Sequence, residues 1–154
     1  MTDQQTHGGA LVPFAVILLA AGKGTRMNSD LPKAMHPIAG QPMIRHILGT
    51  VEALSPARIV VVIGPEMEKV AETVAPHTIV VQTERLGTGH AVIQARSALS
   101  DFKGDIVVLC ADTPLITADT ITALLSARAN TALSSVAVLG FRLKDPTGYG
   151  RLRC

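Results

Sequence analysis

Residues 14 to 21, F-A-V-I-L-L-A-A, form an uncharged apolar run that stops at Gly22-Lys23-Gly24. A short apolar run ended by glycine fits a strand buried on both faces, as in a parallel sheet. In an open α/β sheet, ligands bind in the crevice beyond the carboxyl ends of such strands. The loop that follows carries three cations, Lys23, Arg26 and Lys33. Glycines let backbone N–H groups approach a phosphate closely, and lysine and arginine add charge. Residues 19 to 33 are therefore a candidate nucleotide or sugar-phosphate site.

The rest of the chain repeats the strand pattern. Apolar runs recur at residues 58–63, 78–82, 105–110 and 134–141, and each is predicted to be a strand. Between them the spacing predicts helices at 42–53, 66–75, 88–99 and 117–129. In the first, Met43, Ile47, Leu48, Val51 and Leu54 mark one apolar face; in the second, Met67, Val70 and Val74 do. Thr88 is the expected N-cap of the third. Strands alternating with helices give a three-layer α/β fold on a mostly parallel sheet. Residues 1 to 12 read as a polar, frayed leader, and Arg151 to Cys154 as the start of a further strand.

Composition narrows the function classes. The 154 residues suit one domain, and 47% are apolar, too many for a disordered chain. Aromatics are only 3%, which removes the stacking platform that single-stranded nucleic acid needs. A net charge of +2 without a basic stripe removes bulk attraction to nucleic acid. The apolar stretch at 10–21 has no Lys or Arg before it, so it does not read as a signal peptide. No apolar run reaches the ~20 residues of a membrane span. Cys110 and Cys154 form no C-x-x-C pair, so zinc and thioredoxin-like readings fail; a buried thiol at Cys110 and a cytoplasmic chain are expected.

The loop after the first strand matches neither common phosphate fingerprint. G-x-G-x-x-G needs a third glycine where Met27 stands, and the Walker motif needs a glycine where Ile17 stands. What remains is G-x-G-T-R-M followed by Pro32-Lys33. Asp112 lies just past the strand at 105–110. It reads either as the ion-pair partner of the loop cations or as a magnesium ligand, since magnesium in phosphate sites uses one or two carboxylates. Gln82 ends a strand, where an amide with donor and acceptor can read a base edge. Gly87-Thr88 after it is either a capped connection or a close approach to a ligand. His90 has no carboxylate or nucleophile spaced to pair with it and reads as structural. No Ser/His/Asp or Cys/His set is present, which favours chemistry by positioning and charge neutralisation.

L-A-A-G-K-G-T-R-M with the downstream L-P-K resembles the signature of sugar-phosphate nucleotidyltransferases. Three further segments narrow the resemblance: Q-T-E-R-L-G-T-G-H-A, A-D-T-P-L-I at 111–116, and D-P-T-G-Y-G-R. Together they resemble the N-terminal uridylyltransferase domain of the bacterial bifunctional N-acetylglucosamine-1-phosphate uridylyltransferases and glucosamine-1-phosphate acetyltransferases. The resemblance covers residues 14 to 152. It implies a Rossmann-like fold of the nucleotide-diphospho-sugar transferase type. The implied reaction joins UTP and N-acetylglucosamine 1-phosphate with Mg²⁺, giving UDP-N-acetylglucosamine, a precursor for cell wall and lipopolysaccharide, and pyrophosphate.

By the same resemblance, Leu19, Ala20, Ala21 and Gly22 line the uridine and phosphate site. Arg26 and Lys33 neutralise the phosphates, and Gln82 bonds uracil beside Gly87 and Thr88. Cys110 and Ala111 lie near the ribose, Asp112 ligates magnesium, and Gly150 contacts the sugar. Two departures are visible. Many relatives have glycine where Ala111 stands, and an extra methyl there narrows the approach to the ribose. The family's transferase domain and its β-helix acyltransferase domain also extend past residue 154, so a truncated chain is expected. The alternatives are a nucleotidyltransferase for another sugar or cofactor, and a non-catalytic nucleotide-binding fragment. Oligomeric state stays open.

Overall fold

The computed structural model describes residues 12–22, 24, 27–130 and 135–150. The leader up to residue 11, Lys23, Arg26 and the predicted strand at 151–154 lie outside the described residues. The chain divides into two compact units, residues 1–118 and 119–154.

The first unit is built on a sheet of four parallel strands: β1 (Phe14–Leu19), β4 (Arg58–Ile63), β5 (Thr78–Val81) and β6 (Asp105–Cys110), in the order β5-β4-β1-β6. Two-residue strands β2 (Pro37–Ile38) and β3 (Gln41–Pro42) form a small antiparallel ladder. β1 and β4 are central, and nearly every side chain in them is buried, which is why both read as unbroken apolar runs.

Three helices join the strands: α1 (Met43–Ala53), α2 (Glu68–Val74) and α3 (Thr88–Gln94). Parallel crossovers are right-handed. The steps β1 to β4 and β4 to β5 run one way across the sheet, so α1 and α2 share a face. The step from β5 to β6 runs back across β4 and β1, so α3 takes the opposite face. There Ala91, Ala95 and Leu99 pack on Ala15, Ile17, Val60 and Val62. The parallel three-layer expectation is met. Four of the five predicted strands are present: β4 and β6 have the predicted bounds, and β1 and β5 end two residues and one residue early.

The differences have local causes. α1 buries Ile44 rather than Met43 with Ile47, Leu48 and Val51, because the helix starts after Pro42 and its face is set from there. α2 starts at Glu68 rather than 66, because Glu66 holds a positive φ of 58° and the Met67 sulfur accepts from Gly64 N–H at 3.2 Å. It ends at Val74 because Ala75 is extended (ψ 142°) ahead of Pro76. α3 stops at Gln94, and the chain goes on through Ala95 into a 3-10 turn at Ser97–Leu99. Thr88 does not cap α3. Gly87 does, with φ 98°, and its carbonyl takes the first helical bond from Ala91 N–H at 3.1 Å.

In the second unit, α4 (Ala118–Ala129) falls within one residue of its predicted start. The strand predicted at 134–141 is a correction: residues 135–141 form none, and residue 134 lies outside the described residues. Val136, Val138, Leu139 and Phe141 there are exposed. Alternating apolar residues become a strand only when a neighbour pairs their backbone, and sequence pattern cannot supply that neighbour. Asp145 Oδ1 instead accepts from Thr147 N–H at 3.0 Å and from its hydroxyl at 2.7 Å, closing the turn that leads to Gly150. Among the described residues, no helix is long and apolar enough to cross a membrane.

One ion pair gives a pH test. Arg58 holds Asp101 in a two-pronged bond, Nη2–Oδ2 at 2.7 Å, and the Arg58 guanidinium lowers the Asp101 carboxyl to about 2. A lowered carboxyl stabilises the fold above its unfolded value near about 3.9, and that contribution is lost as pH falls through about 2. Both groups are solvent-exposed, so the effect is small. Urea unfolding of Asp101→Asn should therefore run slightly below the parent above pH 4 and converge with it at pH 2. A gap that persists at the acid end would exclude the carboxylate as its source.

Candidate active site

The strand order fixes where a ligand can sit. The chain moves outward from β1 through β4 to β5, then returns to place β6 on β1's other side. This reversal opens a crevice past the carboxyl ends of β1 and β6. The two strands end level, with Leu19 opposite Cys110. Ala111 N–H donates to Leu19 O at 2.9 Å, and Ala20 N–H donates to Val62 O at 2.7 Å. Both loops therefore leave the sheet from fixed points. Ala20, Ala21 and Ala111, where the two loops begin, are buried.

Gly24 explains how the first loop aims its lysine. Its φ is +69°, and a Cβ built on it lies 3.0 Å from the Lys33 Cβ and 3.3 Å from its Cα. Only glycine accepts both the conformation and the contact. Lys33 N–H donates to Gly22 O at 3.4 Å, and Pro32 (φ −53°) leads Lys33 into a 3-10 turn. The backbone of 32–33 thus rests on the glycine loop. From there Lys33 Nζ reaches Asp112 Oδ2 at 2.7 Å, a contact between residues 79 apart in sequence.

That contact contains the first of the two readings offered for Asp112, since the carboxylate is the partner of a loop cation. It does not make the pair structural. The two side chains are 39% and 40% exposed, and such pairs contribute no more than about 1 kcal/mol to stability. Among the described residues, no three His, Cys, Asp or Glu gather to hold a metal. A lone, accessible carboxylate does suit a hard cation that takes one or two carboxylates and draws its other ligands from phosphate and water. Cys110 beside it is half-buried rather than buried. Burial and then the Asp112 carboxylate push its thiol up, against a smaller pull from Lys33, so it is a poor nucleophile.

Gln82 continues β5 by one bond, N–H to Ile63 O at 2.8 Å, and is 3% exposed. Its amide nitrogen lies 3.2 Å from Gly87 O and 3.1 Å from His90 Nδ1. The buried amide is thus held against the start of α3, with exposed Gly87 and Thr88 beside it. Gly150 lies in the second unit and is exposed.

Two contacts escaped the sequence reading, which named His90 only as structural. Arg85 Nε–H donates to Ala21 O at 3.1 Å, tying the second loop to the first across a gap of 64 residues. It fits there because Gly64 has no side chain: a Cβ on Gly64 would lie 2.7 Å from an Arg85 Nη. His90 makes the other, since its partner is an amide rather than the carboxylate or nucleophile for which spacing rules exist. The signal for both was proximity to the T-E-R-L-G-T-G-H stretch, without a spacing that says what they touch.

The chain is 59% identical to the bifunctional protein GlmU of Paramagnetospirillum magneticum over 139 residues, covering 90% of this chain and 31% of that protein. GlmU of Rhodospirillum rubrum is 54% identical over 138 residues, with the same coverage of 90% and 31%. The chain thus spans less than a third of the length of these curated relatives. Among solved structures, Rv0371c of Mycobacterium tuberculosis H37Rv shares the fold, with a TM-score of 0.60 at 18% identity over 77% of this chain and 62% of that one. A manganese complex of Rv0371c gives 0.57 at 18% identity, over 75% and 59%. Residues 16–152 match the MobA-like NTP transferase domain, nearly the whole described chain, and the protein belongs to that family.

Proposed function

We propose that this chain forms the UTP-binding part of a uridylyltransferase that makes UDP-N-acetylglucosamine from UTP and N-acetylglucosamine 1-phosphate. The observation that carries the proposal is the meeting of Lys33 and Asp112 at 2.7 Å in the β1/β6 crevice. An accessible cation and carboxylate there suit a triphosphate better than they suit folding. The similarity to GlmU proteins supports the choice of nucleotide and sugar.

In this reaction an oxygen of the sugar phosphate bonds to the α-phosphorus of UTP, the α–β phosphoanhydride bond breaks, and pyrophosphate leaves. Lys33 offsets the charge that gathers on the leaving group, and Arg26 of the same loop is proposed to join it. Ala21, Gly22 and Leu19 form the floor under the phosphates and nucleoside, with Cys110 and Ala111 at the ribose side. Gln82 reads uracil, and Gly87 and Thr88 complete the base and ribose contacts. Asp112 is the residue that would hold Mg²⁺. When bound, such an ion neutralises phosphate oxygens. A UTP-consuming chain of this kind belongs in the cytoplasm.

The test is thermal. With Mg²⁺ present, UTP should raise the melting temperature more than CTP, GTP or ATP does. Pyrophosphate release should require both UTP and N-acetylglucosamine 1-phosphate. Stabilisation by CTP or GTP but not UTP would replace the uridylyl reading with another nucleotidyltransferase. UTP binding without pyrophosphate release would reduce the chain to a nucleotide-binding fragment.

A further inference from the structure

Arg85 reaches from the loop after β5 to the loop after β1, and its Nε–H donates to Ala21 O at 3.1 Å. The Ala21–Gly22 peptide is trans and planar, so its N–H points opposite to its C=O. The bond that holds Ala21 O therefore also sets the direction of Gly22 N–H. Gly64 and Arg85 follow β4 and β5, on one side of β1, and Asp112 follows β6 on the other. With Ala21 O turned toward Arg85, Gly22 N–H turns toward the β6 side, where Lys33 meets Asp112. Among the described residues, nothing accepts from that N–H. The seat for Arg85 is shaped on its far side as well. A Cβ on Gly64 would lie 2.7 Å from an Arg85 Nη, 3.3 Å from the Met67 methyl and 3.4 Å from Ala21 O. Met67 is buried, and its sulfur accepts from Gly64 N–H.

We infer that Arg85 is a positioning residue: its Nε–H latches Ala21 O and so aims Gly22 N–H at a phosphate of the bound nucleotide. The inference rests on the triphosphate reading of the crevice and is independent of which base is read. The latch acts through its donor atom rather than through its charge.

The experiment measures affinity for UTP and for inorganic triphosphate by calorimetry, with Mg²⁺, in the parent chain, Arg85→Met and Arg85→Gln. Counted along the side chain, methionine puts a methyl where Nε stands, and glutamine puts an amide nitrogen there. Arg85→Met should bind both ligands roughly tenfold more weakly, the scale of one hydrogen bond. Arg85→Gln carries no charge, yet should recover most of that loss. Gly64→Ala should weaken both ligands by displacing the guanidinium. Combined with Arg85→Met it should add little, because both substitutions act on one contact. Melting temperatures report folding apart from binding. A methionine variant that melts lower but binds both ligands like the parent overturns the inference and leaves Arg85 a structural residue. A glutamine variant as weak as the methionine one overturns it too, and assigns the effect to charge. Losses that add in full in the double variant separate Gly64 from the latch and overturn the geometry given for it. A parent that binds triphosphate but not UTP ends the uridylyl reading alone, and the triphosphate series still decides the latch. A parent that binds neither ends both.

Discussion

Asp112→Ala should cut Mg²⁺-dependent pyrophosphate release by roughly 100- to 1,000-fold, the scale of removing one group that faces charge developing in a transition state. The same substitution should lower folding stability by no more than about 1 kcal/mol. The asymmetry follows from exposure. At 40% exposed, the carboxylate gains little from Lys33 in the folded protein, because water screens the pair. With a triphosphate in the crevice, the same position faces several negative oxygens and becomes useful only with a cation between. In binding experiments the loss should appear as a UTP affinity that no longer responds to added Mg²⁺. Stability that falls in step with activity would mark Asp112 as a structural partner of Lys33 and withdraw its metal role.

The largest stability effect is expected at Gly104→Ala, by about 3 kcal/mol or more, in the upper range for forcing atoms into a packed site. A Cβ built there overlaps the carbonyl oxygen of Pro13 and lies 2.9 Å from its carbon. That oxygen accepts from Asp105 N–H at 2.9 Å, the bond that starts the pairing of β6 with β1. The added methyl must move the backbone just where the two site-bearing strands enter the sheet. Gly49→Ala is the matched control. Gly49 lies inside α1, nothing lies within 4 Å of an added Cβ, and its φ is not in the left-handed region. Removing a glycine's backbone freedom from a helix should stabilise by about 0.5–1 kcal/mol. Urea midpoints would read both, and two changes of the same sign would contradict the packing argument.

The sequence places Gly49 in a predicted helix and Gly104 just before a predicted strand, but it does not show that the Pro13 carbonyl lies against Gly104, and this marks how far the sequence could be read. Strands β1 and β4 were legible because they lie at the centre of a covered sheet, where burial on both faces demands an unbroken apolar run; β6, at the edge of the described sheet, was legible from its apolar run although Ile106 and Val108 are exposed. The strand predicted at 134–141 has a similar pattern but, at 135–141, no sheet to belong to. The cap of α3 and the start of α2 were missed where one backbone angle decided them: α3 starts at residue 88 as predicted but is capped by Gly87 rather than Thr88, and φ at Glu66 delayed α2 by two. Hydrophobic spacing carries no record of such angles.

The candidate site divides along the same line. Sequence alone determined its parts: a glycine loop with Lys33, a carboxylate just past a strand at Asp112, and an amide at the end of another strand at Gln82. Those follow from residue type and from position relative to strands, which are local properties. Only the tertiary structure decided that Lys33 and Asp112 touch across 79 residues, that Arg85 ties the two loops together, and that His90 holds Gln82. The reason is the strand order β5-β4-β1-β6. It brings β6 back beside β1 and makes neighbours of distant loops, and no local pattern in the chain specifies that return.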